Sequence, residues 1–195
     1  MHILSPEKKH IDDWEKRANK VLSRFHYQHP DEIDMYDICW KYGIVIKPLD
    51  KNYLSEIDKS LSINHLKSYS IPNKNGRRGT IYIVPDLDPI EKRMLLAEEF
   101  CHIYSHYSSQ LITDKLTLDK QESQARRMSA YLLMPHRFLK DIYAAAINEP
   151  ILISDIANHF LVTEEFAHYR LELIYKHKVD GFVQIRERLW SLEIF

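Results

Sequence analysis

The stretch that most constrains this chain is DPIEKRMLLAEEFCHIYSHY, Asp88 to Tyr107, which has no proline after Pro89 and no glycine at all. Asp88 can cap a helix, and Pro89 suits the first helical position because its missing N–H is not needed there. Glu91 stands three residues after the cap, as in a capping box. A helix running to about Tyr107 is expected. Just before it, Thr80-Ile81-Tyr82-Ile83-Val84 is rich in β-formers and bounded by Gly79 and Pro85, which predicts a strand. A strand feeding a long helix sets the frame of an α+β fold.

The rest of the chain fills in that frame. From about Pro6 to Arg24, Ile11, Trp14, Ala18, Val21 and Leu22 recur at helical spacing, and His29-Pro30-Asp31 breaks the pattern. A short helix, Ile33 to Tyr42, should end at Gly43, followed by a strand at Ile44-Val45-Ile46 that Pro48 closes. The polar middle, Asp50 to Arg78, holds weak strand candidates at Ile57 and Leu61-Ser62-Ile63, and IPNKNGRRG reads as a loop. After the loop SSQLITDK, a helix is expected from about Asp119 to Leu133, stopped by Met134-Pro135. HRFLKDIYAAAINE reads as helical, and ISDIANHFLVTEEFAHYRLELIYK as two helices split around Phe160-Leu161-Val162, with Thr163 capping the second.

At 195 residues the chain is long enough to bury a core of its own, and 45% hydrophobic with 28% charged residues is the composition of a globular protein. The net charge of -1, from 27 basic and 28 acidic side chains, provides no general field to draw in phosphate backbones or anionic membranes. No direct nucleic-acid or membrane partner is therefore expected. The charged start MHILSPEKKHIDDWEKR is unlike a signal peptide, and with Cys39 and Cys101 as the two cysteines, a cytoplasmic protein with reduced thiols is expected.

The chemistry concentrates in AEEFCHIYSH. On a helix Glu98 and His102 are four apart and share a face, with Glu99 beside them. In the zinc motif H-E-x-x-H two histidines ligate the metal and the intervening Glu takes a proton from the attacking water. Here the string is E-E-F-C-H, so only the first ligand differs. A third ligand must come from elsewhere, and the next helix, with Glu122 near its start, is the natural source; spacing alone does not assign it.

These residues resemble the ImmA/IrrE family of metallopeptidases. The features that carry the resemblance are the strand Gly43-Ile44-Val45-Ile46, a strand before the motif helix, LAEEFCH, and downstream E-x-x-A followed by LLMP, across roughly residues 30 to 175. The resemblance implies Glu99 as general base and His102 and Glu122 as ligands, Glu122 because it stands thirteen residues ahead of the proline in LLMP. Glu98 departs from the commoner H-E-x-x-H and is similar to an E-E-x-x-H form of members from mobile genetic elements. His106, one turn beyond His102, matches a histidine of the family's longer motif and is assigned behind the ligands rather than among them. The implied cofactor is Zn²⁺, with Mn²⁺ as a second candidate. The implied substrate or docking partner is a helix-turn-helix repressor of a prophage or integrative element.

Glu98 changes the expected chemistry. Two neutral histidines and one carboxylate leave Zn²⁺ with a net charge of about +1, whereas one histidine and two carboxylates leave about 0, a weaker Lewis acid. A His102–His106 pair does not rescue the site: Glu98 then lies about 12 Å away along the axis, and Ile103 falls at the base position. Taken without Glu122, the motif reads as a solvated polar stripe with Leu96, Phe100, Ile103 and Tyr107 buried beneath it. Cys101 reads as a small buried hydrophobe, and Arg126-Arg127 as a solvated helix face.

The expected fold is therefore α+β: a zincin-like metallopeptidase core (1–135) with a small mixed sheet, motif helix and third-ligand helix, then a C-terminal helical subdomain (136–195). The expected activity is that of a zinc metallo-endopeptidase that cleaves the repressor and relieves repression. The substrate is expected to add as a strand at the Thr80–Val84 edge, against Tyr82 and Ile83. The alternative keeps the fold without the chemistry, as a protein that docks a regulator. A DNA-binding reading of ISDIANHFLVTEEF is weaker, because TEEF brings two carboxylates where phosphates would approach.

Overall fold

The computed structural model describes residues 12–49, 66–73, 78–105, 115–146 and 150–175. The helical start at Pro6, the strand candidates at Ile57 and 61–63, the tip of IPNKNGRRG and His106 lie outside the described residues.

Helix α1 (Asp13–Leu22) is capped by Asp12, whose carboxylate accepts from the Trp14 N–H at 2.9 Å. After a single 3-10 turn (Pro30–Glu32), α2 (Met35–Lys41) starts in the same way on Asp34. Its exit is the turn expected at Gly43, where φ is +68°, a conformation that glycine adopts without strain. The chain then enters β1 (Ile44–Pro48).

Two further strands follow, β2 (Ser68–Pro72) and β3 (Gly79–Ile83). The sheet order is β1-β3-β2, with β1 parallel to β3 and β2 antiparallel to it. Strand β2 was not expected, and it takes up the first two residues of IPNKNGRRG. Its consequence is topological: the strand expected to offer an open edge is the middle of the sheet, hydrogen-bonded on both sides.

The motif helix α3 (Pro89–Ser105) begins as expected, with Asp88 accepting from the N–H groups of Ile90 and Glu91 at 2.9 and 3.2 Å. Glu91 does not complete a capping box; it reaches out to Lys67. Arg93 ties the helix to the 3-10 turn by donating to the carbonyls of Pro30 and Ile33. Helix α4 (Lys115–Leu133) starts four residues before the expected Asp119 and crosses α3. Helix α1 lies along it. Helices α5 (His136–Ala145), α6 (Ile153–Phe160) and α7 (Glu164–Tyr175) complete the described chain. The α6–α7 joint is Leu161 in the left-handed region, and Thr163 caps α7 through its hydroxyl to the Phe166 N–H at 3.3 Å.

The faces of the sheet explain where the site sits. Ile81 and Ile83 point from β3 into the main core beside Phe100, Ile103, Met128 and Leu132. Tyr82 points the other way and stacks on Tyr69 at 4.8 Å between ring centres, over a smaller cluster with Leu49 and Val84. Phe138, Ile156 and Phe166 of the C-terminal helices enter the same main core. No described helix is long and apolar enough to cross a membrane.

Candidate metal centre

Helix α3 is not a surface helix with a wet stripe. From Leu96 to Tyr104 all its residues are buried except half-buried Glu98. Glu99 and His102 are 6% and 5% exposed, so the reading of them as a solvated stripe is wrong. Burying two such polar groups is costly unless they are satisfied or used, which points to a site rather than a surface.

Strand β2 supplies what Glu99 needs. The Ser68 hydroxyl donates to Glu99 Oε1 at 2.8 Å. Ser70, on the same face of the strand and buried, lies nearby. The other carboxylate oxygen, Oε2, is buried and accepts no hydrogen bond from the described residues. Burial raises the Glu99 carboxyl above its ordinary value, while His102 and the two serine hydroxyls pull it down. A carboxylate held on one oxygen and open on the other, with its proton affinity raised, has the character of a general base.

His102 faces α4, where its Nε2 stands 3.3 Å from Oε2 of Glu122. Two ligands at the ordinary Zn–N and Zn–O bond lengths, placed at the tetrahedral angle, stand about 3.3 Å apart. His102 and Glu122 thus fit two corners of a zinc site. Glu122 is 52% exposed and opens this point to solvent. Glu98 lines the same cleft, about 390 Å³ in volume, together with Glu122, Ser123, Arg126 and Tyr169. Burial also raises the Glu98 carboxyl; of the neighbouring charges Arg126 opposes this most strongly, ahead of His102. Among the described residues no three carboxylate, imidazole or thiol side chains converge closely enough to enclose an ion. The donor set therefore fits a metal at His102 and Glu122, and Glu98 stands beside it without closing the triad.

Other expected site residues fall elsewhere. Tyr82 and Ile83 lie on the central strand, Tyr82 stacked on Tyr69 and Ile83 buried in the core, so neither borders an edge that a peptide could join. Among the described residues, the unpaired edge of the sheet nearest the motif helix is that of β2. Cys101 is fully buried in α3, and burial lifts its thiol well above the ordinary range, which leaves it inert as a nucleophile. Ser68, Ser70, Arg126 and Tyr169 were not anticipated. Only Arg126 carried a signal, standing four residues after Glu122 and hence on the same face of α4.

A comparison with curated proteins finds no match. Residues 41–172 match the model of the peptidase M78 family, described as the IrrE N-terminal-like domain. The matched span runs from the end of α2 into α7 and so takes in the whole sheet, Glu98, Glu99, His102 and Glu122. The chain therefore belongs to the ImmA/IrrE-type metallopeptidases.

Proposed function

We propose that this protein is a metal-dependent endopeptidase acting on a helix-turn-helix repressor of a prophage or integrative element, so that cleavage relieves repression. The observation that carries the peptidase reading is Glu99, buried, held by Ser68 on one oxygen and open on the other, one residue from Glu98 and three from His102. Glu98, His102 and Glu122 would hold the ion, Zn²⁺ first and Mn²⁺ second, which when bound would polarise the scissile carbonyl.

The chain's own residues account for the remaining steps. Glu99 takes the proton of the attacking water on Oε2 and passes it to the leaving amine, while Ser68 keeps the carboxylate aimed. The outer edge of β2, unpaired among the described residues, supports a place for the substrate. Val84 N–H donates to Lys67 O and Asn73 N–H to Arg78 O, so the odd-numbered residues of β2 face β3. Ser68 and Ser70 then turn their backbone groups outward, where an extended peptide can pair beside Glu99.

The second reading, a docking regulator without catalysis, is favoured by Glu98, whose strongest partner charge is Arg126 rather than His102. Both readings use the same fold and part at one residue. Purified protein loaded with Zn²⁺ should cleave its repressor, and Glu99→Gln should lose cleavage by at least about 100-fold while still binding metal. Glu122→Ala should lose the metal itself, read by mass spectrometry. Full cleavage by Glu99→Gln would remove Glu99 from the reaction; metal-free, inactive wild type would leave the docking role.

A further inference from the structure

One wall of the cleft beside His102 and Glu122 ends in a guanidinium that is fixed in place but not used. Arg126 is exposed and stands four residues after Glu122, about 6 Å further along the axis of α4. Its guanidinium carbon lies 4.9 Å from the ring centre of half-buried Tyr169 on α7. Stacking on an aromatic face sets the plane of a guanidinium while its N–H groups stay available at the rim. Among the described residues this guanidinium makes no hydrogen bond and no ion pair.

We propose that Arg126, held flat on Tyr169, determines specificity by receiving an acidic side chain of the substrate close to the scissile bond. This rests on the peptidase reading and gives it a substrate class, an extended segment with an Asp or Glu near the cut. Charge supports it. The lining of the cleft has two carboxylates, Glu98 and Glu122, and one cation, Arg126. A divalent ion held by the two carboxylates cancels them, and Arg126 is then the charge that the cleft shows to a ligand. Distance supports it too. An extended chain rises about 3.3 Å per residue, so about two residues span the step from Glu122 to Arg126 and bring a side chain back to the same face. A planar guanidinium matches a carboxylate through two parallel N–H···O bonds, whereas a lysine or arginine of the substrate is repelled there.

The test is a mixture of synthetic peptides of varied sequence, cut by the Zn²⁺-loaded full chain and read by mass spectrometry, for wild type, Arg126→Gln and Arg126→Glu. Wild type should favour Asp or Glu over Asn or Gln near the cut by about tenfold. Arg126→Gln should lose that preference, and Arg126→Glu should turn it toward Lys or Arg. An acidic preference that survives in Arg126→Gln, or an equal loss of cleavage for all peptides, would overturn this inference and leave the peptidase standing. Wild type that cuts nothing would overturn the peptidase reading. Binding then decides the inference by itself, through fluorescence anisotropy of a labelled glutamate-containing peptide and its glutamine counterpart. Tighter binding of the glutamate peptide by wild type, weakened by salt and lost in Arg126→Gln, supports the acidic subsite; equal binding of the two peptides overturns it.

Discussion

Gly79 should be among the least replaceable residues of the sheet, for a reason that is entirely one of space. A Cβ there would lie under 3.0 Å from the carbonyl oxygen of Ile71, 3.0 Å from Cδ1 of Ile103 and 3.1 Å from Cα of Pro72. Ordinary contact starts at 3.4 Å, and two of the three obstacles are backbone of β2, which cannot rotate away. Overpacking of this kind costs about 1–3 kcal/mol, and two backbone obstacles put Gly79→Ala in the upper half of that range. Loss of glycine's freedom in the unfolded chain returns about 0.5–1 kcal/mol. The net expectation is a loss of about 2 kcal/mol. With a urea slope of about 2 kcal/mol/M, the unfolding midpoint should fall by about 1 M. Gly43→Ala is the control: the nearest atoms to its Cβ would be those of the Arg78 side chain, at 3.4 to 3.6 Å, so the main cost is the left-handed backbone, about 1 kcal/mol. Because β2 carries Ser68, Gly79→Ala should also loosen the bond to Glu99, whereas Gly43→Ala should not. A Gly79→Ala protein as stable as its parent, or more so, would refute the reasoning.

Two further outcomes follow from buried charges. Ser68→Ala removes a hydrogen bond that favours the ionised form of Glu99, so its carboxyl should rise further; a base that must be ionised then works only at higher pH. The acid limb of the pH profile of kcat/KM should move upward, with activity several-fold lower at the acid end and little changed on the plateau; an unmoved limb would separate Ser68 from the base. Arg170 is fully buried, donates through Nε to the Met134 carbonyl at 2.8 Å and lies over the Tyr131 ring. Burial lowers it to about 10, below its ordinary value, so its charge costs stability at neutral pH, and the cost is relieved as pH rises above about 10. Arg170→Met should melt within about 1 kcal/mol of the parent, since losing the carbonyl bond offsets losing the buried cation. A loss of about 3 kcal/mol or more would mean that the two Nη groups, which have no hydrogen-bond partner among the described residues, engage one after all.

Those features of the fold that rest on neighbouring residues were legible. Asp88-Pro89 starts α3, Gly43 ends α2, Pro135 stops α4 and Thr163 caps α7, each through contacts within a few residues. Strand β2 was not legible, and the physical reason is its job. Ser-Tyr-Ser-Ile-Pro scores poorly as a strand because serines stand where a core strand would carry valines, and they stand there to meet a carboxylate 31 residues away. Missing β2 then misplaced the open edge, since the position of a strand in its sheet depends on partners that local pattern does not name. The site divides in the same way. Spacing within one helix places Glu98, Glu99 and His102 together, but the approach of Glu122 to His102 is made by two helices crossing, and the family resemblance anticipated it. Arg126 is exposed, as its reading on a solvated face expects, but its stacking on Tyr169 was not legible because that ring comes from another helix.

The cap of α1 reaches further than its own helix. Asp12 accepts from the Trp14 N–H, accepts from the Tyr131 hydroxyl at 3.1 Å and pairs with Arg127, joining positions up to 119 residues apart. Tyr131 and Arg127 stand on the helix that presents Glu122, so one aspartate at the front of the described chain steadies a helix made much later. During synthesis α1 leaves the ribosome long before α4 exists, and its buried face must wait without its main partner. Such long-range closure slows folding, and here it orders events: the cleft can form only after α4 has emerged and docked on α1. The nascent chain therefore carries Glu99 and His102 before it has a place to use them.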